Sequence, residues 1–241
     1  MDAEALLTET MKVEQRSINS RAIAMRKNFS FYLSMLFWIP TIFFSLLLVY
    51  NTLPYFTFST DYPFLQERLS LYAHFIWRIS FYVHIFAGAV CIIAAILQFS
   101  SWILKKRRRI HIVSGKIYVF VVLLIGAPSG FYMCFFAKGG YWERAAFMLM
   151  AIYWFYSTYK GFVTAAREKN FVSHKFWMIR SYAMVLTAVT FRIYHIVFYF
   201  GGMGDFKNYS LSLWISILGN ALIAEMIIYF SSRNYLKTLT S

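Results

Sequence analysis

Apolar residues in this chain gather in long runs and do not alternate with polar ones. About 20 apolar residues at 1.5 Å each cross a hydrocarbon core of about 30 Å, so such runs predict membrane-spanning helices. Six of them predict spans over residues 29–52, 79–103, 112–137, 142–165, 175–199 and 210–231. The expected fold is therefore an all-α membrane protein, six transmembrane helices in a bundle. Pro40 predicts a kink in the first span. Pro128, in GAPSG, predicts a break in the third, because it removes a backbone donor and crowds the carbonyl of Leu124. Between the first two spans, residues 53–78 read as an external aromatic cap at headgroup level. Residues 1–28 read as a cytoplasmic segment with apolar positions at helical spacing among charges, and residues 232–241 as a short cytoplasmic tail.

Composition agrees with this pattern. The 241 residues are 60% hydrophobic and 14% charged, which leaves too little polar surface for a soluble domain of this size. A net charge of +14 would suit nucleic acid if it lay on a solvated face. It lies instead in short loops beside the apolar runs, most densely in Lys105–Arg109, and no basic-aromatic platform is interleaved outside them. Nucleic acid is not an expected partner. One set of loops carries Lys12, Arg16, Arg21, Arg26, Lys27, Lys105–Arg109, Arg167, Lys169, Lys175, Arg233 and Lys237; the other carries Arg68, Arg78, Lys138, Arg144 and Lys207. That bias places both termini in the cytoplasm, with an even number of spans. Cys91 and Cys134 fall inside apolar runs and read as buried small residues. The N-terminus, with acidic residues and no short apolar core, does not read as a signal peptide.

Candidate chemistry lies with the histidines. Ionisable groups inside a membrane are costly and point to function. His84 and His195 sit about one turn inside the external ends of spans two and five, and His111 and His174 at the cytoplasmic ends of spans three and five. His174 and His195 stand about 31 Å apart along one helix. Two depth-matched pairs of imidazoles on different helices are what bis-histidine haem sites need. Gly88 and Gly115, each four residues after a histidine, would let a flat macrocycle approach, and Arg192, one turn from His195, would suit a haem propionate. Without a CxxCH motif, such a haem would be noncovalent, haem b. The plainer reading of the same histidines is interfacial anchoring and packing hydrogen bonds. Arg180 and Glu225 match in depth and read as a structural ion pair. The sequence holds no HExxH, GxSxG, P-loop or clustered HxxxH boxes.

Three segments carry a resemblance: HIFAGAVCIIAAILQF from His84, HIVSGKIYVF from His111 and HKFWMIRSYAMVLTAVTFR from His174 to Arg192. In these the chain resembles a family of bacterial predicted membrane proteins known as domain of unknown function 2306. The resemblance implies a multipass protein of the bacterial inner membrane and supplies no activity; His195 lies beyond the matched motif. In architecture the chain is also similar, more weakly, to two-haem b-type cytochromes that carry electrons across membranes. Two functions are then expected in competition. In the first, His84 with His195 and His111 with His174 hold haem, and the protein relays electrons between a quinone-side donor and an outer acceptor, as part of a membrane oxidoreductase. In the second, a non-enzymatic protein binds an anionic lipid, a quinone or a partner subunit through His111, His174 and the basic loops.

Overall fold

The computed structural model describes residues 38–240 without a break and, before them, residues 15, 16, 25, 31, 32 and 34–36; the side chains of residue 101 and residues 234–240 are not described. Most of the expected lead-in over 1–28 lies outside the described residues. Two compact units divide the chain, residues 1–44 and residues 45–241. A first long helix, α1, covers Ser34–Thr57. The second unit holds α2 (Phe75–Phe99), α3 (Arg108–Cys134), α4 (Tyr141–Ala166), α5 (Phe171–Phe200) and α6 (Asp205–Thr240). No strand occurs among the described residues.

Five of these helices are long and apolar enough to cross a membrane: α1, α2, α3, α5 and the stretch Asp205–Arg233 of α6. The 26-residue α4 is of similar length but not of similar apolarity. Glu143, Arg144 and Lys160 interrupt it, as do Tyr141, Trp142, Tyr153, Trp154, Tyr156 and Tyr159.

Successive helices of the second unit pack on one another, α2 on α3, α3 on α4, α4 on α5 and α5 on α6, with α5 also touching α2. Short connections enforce this arrangement. At the end of α5, Gly202 takes a positive φ of 78°, and Met203 N–H bonds back to Phe198 O at 3.0 Å, so the chain reverses within a few residues. Residues between α1 and α2 form short helical turns, Pro63–Gln66 and Leu69–Ala73. They close over a small aromatic core of Leu65, Trp77 and Phe81, packed by Tyr55, Tyr62, Tyr72 and Phe136.

Helix α3 does not break at GAPSG. Residues Val122–Gly126 form a π-helical turn immediately before Pro128, and helix continues to Cys134. The wider turn accommodates a residue that cannot donate its N–H to the fourth residue back. The break expected there is a bulge.

Buried polar residues mark the α5–α6 contact. Asn208, Ser212, Ser216 and Asn220 recur every four residues along α6, and each is nearly or fully buried. Asn208 Nδ2 donates to His195 O at 3.0 Å. Asn220 Nδ2 reaches Ala183 O at 3.2 Å, Thr187 Oγ1 at 3.3 Å and Thr190 Oγ1 at 3.0 Å. Small polar side chains allow close approach in lipid, where apolar surface alone gives helices no preference for each other.

Candidate functional site

The chemically richest region lies at the end of the bundle that carries Lys105–Arg109. Ser100 accepts the N–H of Ile103 and starts a short helix, Ser101–Lys106, which leads into α3 at Arg108. The turn points five consecutive exposed cations away from the bundle. One turn into α3, His111 is half-buried, and its Nδ1 is buried with no hydrogen-bond partner. Gln98, near the end of α2, donates Nε2 to His111 O and to Ser114 Oγ, both at 2.6 Å. A Cβ on Gly115 would stand 3.1 Å from Gln98 Oε1, so this glycine makes room for the glutamine.

His174 enters from α5, one turn after Asn170 caps that helix through Ser173 N–H. Its Nδ1 lies 2.7 Å from Gly161 O of α4. A carbonyl oxygen only accepts, so Nδ1 carries a proton and Nε2 is the nitrogen left for another partner. Tyr118 and Ser181, whose hydroxyls stand 2.7 Å apart, each lie seven residues further along, so His111 and His174 stand at the same end of the bundle. The structure thus places two imidazoles from helices remote in sequence at one end of the bundle. His174 is oriented by a backbone carbonyl, and His111 has an orphaned buried ring nitrogen. Metal-ligating histidines ordinarily use their second nitrogen in the way His174 does.

Deeper in the bundle a hydroxyl network joins α3, α4 and α5. Tyr118 Oη and Ser181 Oγ are 2.7 Å apart, Thr158 Oγ1 and Ser181 Oγ are 2.7 Å apart, and Trp154 Nε1 donates to Tyr118 Oη at 3.1 Å. Thr158 also donates to Trp154 O at 2.7 Å. Tyr118, Thr158 and Ser181 are sealed from the surface. Beside them Tyr182 stacks on Phe99 of α2, centroids 4.3 Å apart.

At the opposite end the other two histidines have separate surroundings. His84 Nδ1 meets Gly126 O at 3.1 Å and Ser129 Oγ at 3.3 Å, on the far side of the π turn. A Cβ at Gly130 would fall 2.8 Å from His84 Cε1, so the ring fills a notch that only glycine leaves open. His195 stacks on Phe191, centroids 5.8 Å apart, and its Nδ1 is buried without a partner. The described contacts of His84 are with α3 and those of His195 with α5 and α6. Arg192 turns back on its own helix, Nη1 to Ala188 O at 2.7 Å. Around a Cβ built at Gly88 there is open space. Arg180 and Glu225 meet in a two-pronged ion pair, Nε to Oε1 at 2.6 Å and Nη2 to Oε2 at 2.7 Å.

Among the described residues, no three or more His, Cys, Asp or Glu side chains gather as a metal site, and Cys91 and Cys134 are free and buried. Sequence reasoning passed over Ser114 and Thr158 because a single hydroxyl in an apolar run carries little signal. That Thr158 meets Ser181 becomes visible only once α4 and α5 are placed together.

The family description "predicted membrane protein (DUF2306)" matches residues 81–228, more than half of the chain. This protein belongs to that family. The matched region begins within α2 and ends within α6, and so contains all four candidate histidines. No curated protein and no solved structure matches the chain.

Proposed function

We propose that this protein holds one b-type haem at the Lys105–Arg109 end of the bundle, between His111 and His174, and serves as an electron-transfer component of the bacterial inner membrane. In this reading α4 also spans, which gives six spans with both termini in the cytoplasm and the haem near the cytoplasmic face. The positive-inside rule supports the orientation. The observation that carries the reading is the common level of His111 and His174, each seven residues before the Tyr118–Ser181 contact, one ring with an orphaned nitrogen and the other oriented by Gly161 O.

A haem held there supplies a one-electron redox centre. The chain's own part is positional. Gly161 O orients His174, Gln98 ties the first turn of α3 to α2, and the Tyr118–Ser181–Thr158 network fixes the spacing of α3, α4 and α5 beneath the pair. His84 acts as a clamp at the π turn and takes no part in ligation. Protein purified from haem-replete cells should be red, with a Soret band and an α band that sharpens on reduction. Both should be lost in His174→Ala and kept in His84→Ala. A colourless preparation sinks the reading.

A second reading has its own observation. An open groove of about 290 Å³ runs along α3 at Arg109, Ile110, Val113, Ser114 and Ile117. A groove with an apolar floor headed by an arginine, next to four further cations, suits an anionic phospholipid. Native mass spectrometry should then find an anionic lipid retained by the parent protein and lost from Arg109→Ala; equal retention by both excludes this site.

A further inference from the structure

The Arg180–Glu225 pair lies well inside the apolar stretches. Arg180 is nine residues into α5, and Glu225 is eight residues short of Arg233, so each stands about 12–14 Å from its end. Charges at that depth ordinarily face the interior of a bundle or a water-filled cavity. Glu225 is not turned into the interior of a single chain. Its side chain is 47% exposed and that of Arg180 20%. Leu222, Met226 and Tyr229, on either side of it, are exposed too. A polar and aromatic face surrounds the pair. Tyr153 Oη donates to Glu225 Oε1 at 3.5 Å, the Arg180 guanidinium stands 4.6 Å over the Trp177 ring, and Tyr156 meets Trp177 edge-on.

We propose that this face is where two copies of the chain associate in the membrane, side by side about a two-fold axis along the membrane normal. The argument is charge complementarity. The face carries a positive group on α5 and a negative group on α6, next to each other. A two-fold axis between copies opposes each arginine to the partner's glutamate, so the surface complements itself. Lipid tails offer the outward lone pairs of Glu225 no donor, whereas a second guanidinium does. Leu222 and Met226 flank the charges and close the rim against lipid.

The test is cross-linking of the full chain in membranes with a bifunctional maleimide. Cys91 and Cys134 are buried, so the parent chain is a silent background. Leu222→Cys should give a cross-linked dimer, and Phe86→Cys, on the exposed face of α2, should not. Adding Glu225→Gln to Leu222→Cys should lower the dimer fraction about fivefold, in line with the strength of one polar contact in a membrane. Reversing the pair, Arg180→Glu with Glu225→Arg, should restore it. If Glu225→Gln does not fold, the reversed pair decides alone: dimer supports the proposal and monomer overturns it. A monomeric Leu222→Cys, equal cross-linking at Phe86→Cys, or undiminished dimer in a folded Glu225→Gln chain also overturns it. So does rapid labelling of Glu225→Cys by a membrane-impermeant maleimide, because the pair would then line a water-filled cleft.

Discussion

Tyr118 and Ser181 meet hydroxyl to hydroxyl at 2.7 Å, fully buried, and join α3 to α5 across a gap of 63 residues. Each is held by α4 as well, Tyr118 through Trp154 and Ser181 through Thr158. Every hydroxyl in this small network both receives and gives, and this is the condition under which polar groups stabilise an apolar interior.

Replacing Ser181 by Ala should leave Thr158 with only its own-helix carbonyl and Tyr118 with only Trp154. We expect a loss of about 1 kcal/mol, the usual worth of an interhelical hydrogen bond in a membrane protein. Reversible unfolding in mixed micelles measures it. In the haem reading the same variant should also shift the midpoint potential, because the pair above the network loses its fixed spacing.

Asn220 gathers three acceptors from α5 on one amide group. Asn220→Leu keeps the volume and leaves Thr187 and Thr190 to their own-helix carbonyls. A cost of about 1–2 kcal/mol is expected in the same unfolding assay. Thr190→Val alone should cost less, because two of the three acceptors remain.

His84 and Gly130 give a test by double-mutant cycle. Gly130→Ala places a Cβ 2.8 Å from His84 Cε1 and should destabilise the parent protein. In a His84→Ala background the notch is empty, and the same change should stabilise by up to about 1 kcal/mol, the helix preference of Ala over Gly. Identical effects in the two backgrounds would remove His84 from the role of clamp.

On the cap, Lys138 Nζ stands 2.9 Å from Glu67 Oε2, and this contact holds the glutamate carboxyl below its ordinary range. A depressed carboxyl pKa contributes stability that is present above the unfolded value and is lost as pH falls through the folded one. Both groups are largely exposed, so the contribution is small and screened by salt. Lys138→Met should raise the Glu67 titration midpoint toward the ordinary glutamate value, as read by carboxylate infrared bands. An unmoved midpoint would show that the contact is not populated in solution.

The sequence exposed the helices well because a run of apolar residues needs no tertiary context to be read. Their ends were less legible: α5 and α6 extend beyond their apolar cores, because a helix stops where its backbone bonds stop, not where hydrophobicity does. The depth match of Arg180 and Glu225 could be read by counting residues, and the two side chains lie in contact. Asn208, Ser212, Ser216 and Asn220 were spelled out at a four-residue period, yet histidines and charges drew more weight than these weak polar residues. The bulge before Pro128 was not readable, since proline predicts a disturbance without saying whether the helix will end or widen. His84 and His111 differed in sequence by depth alone, and each was expected to ligate. Only the packing separates a ring seated in a glycine notch from one left with an orphaned nitrogen.

That bulge governs more than its own five residues. In an uninterrupted helix Tyr118 and Ser129, eleven positions apart, would lie almost in line. One extra residue in a turn rotates everything beyond it by roughly a quarter circle. The first part of α3 therefore presents Tyr118 to α4 and α5, and the part beyond presents Ser129 to the His84 ring of α2. One helix is thus indexed twice, to two sets of neighbours. Closing that turn to ordinary helix with every residue kept would put the half of α3 beyond it out of phase with the bundle, whereas deleting one residue between Val122 and Gly126 would close the turn and keep both faces where they are.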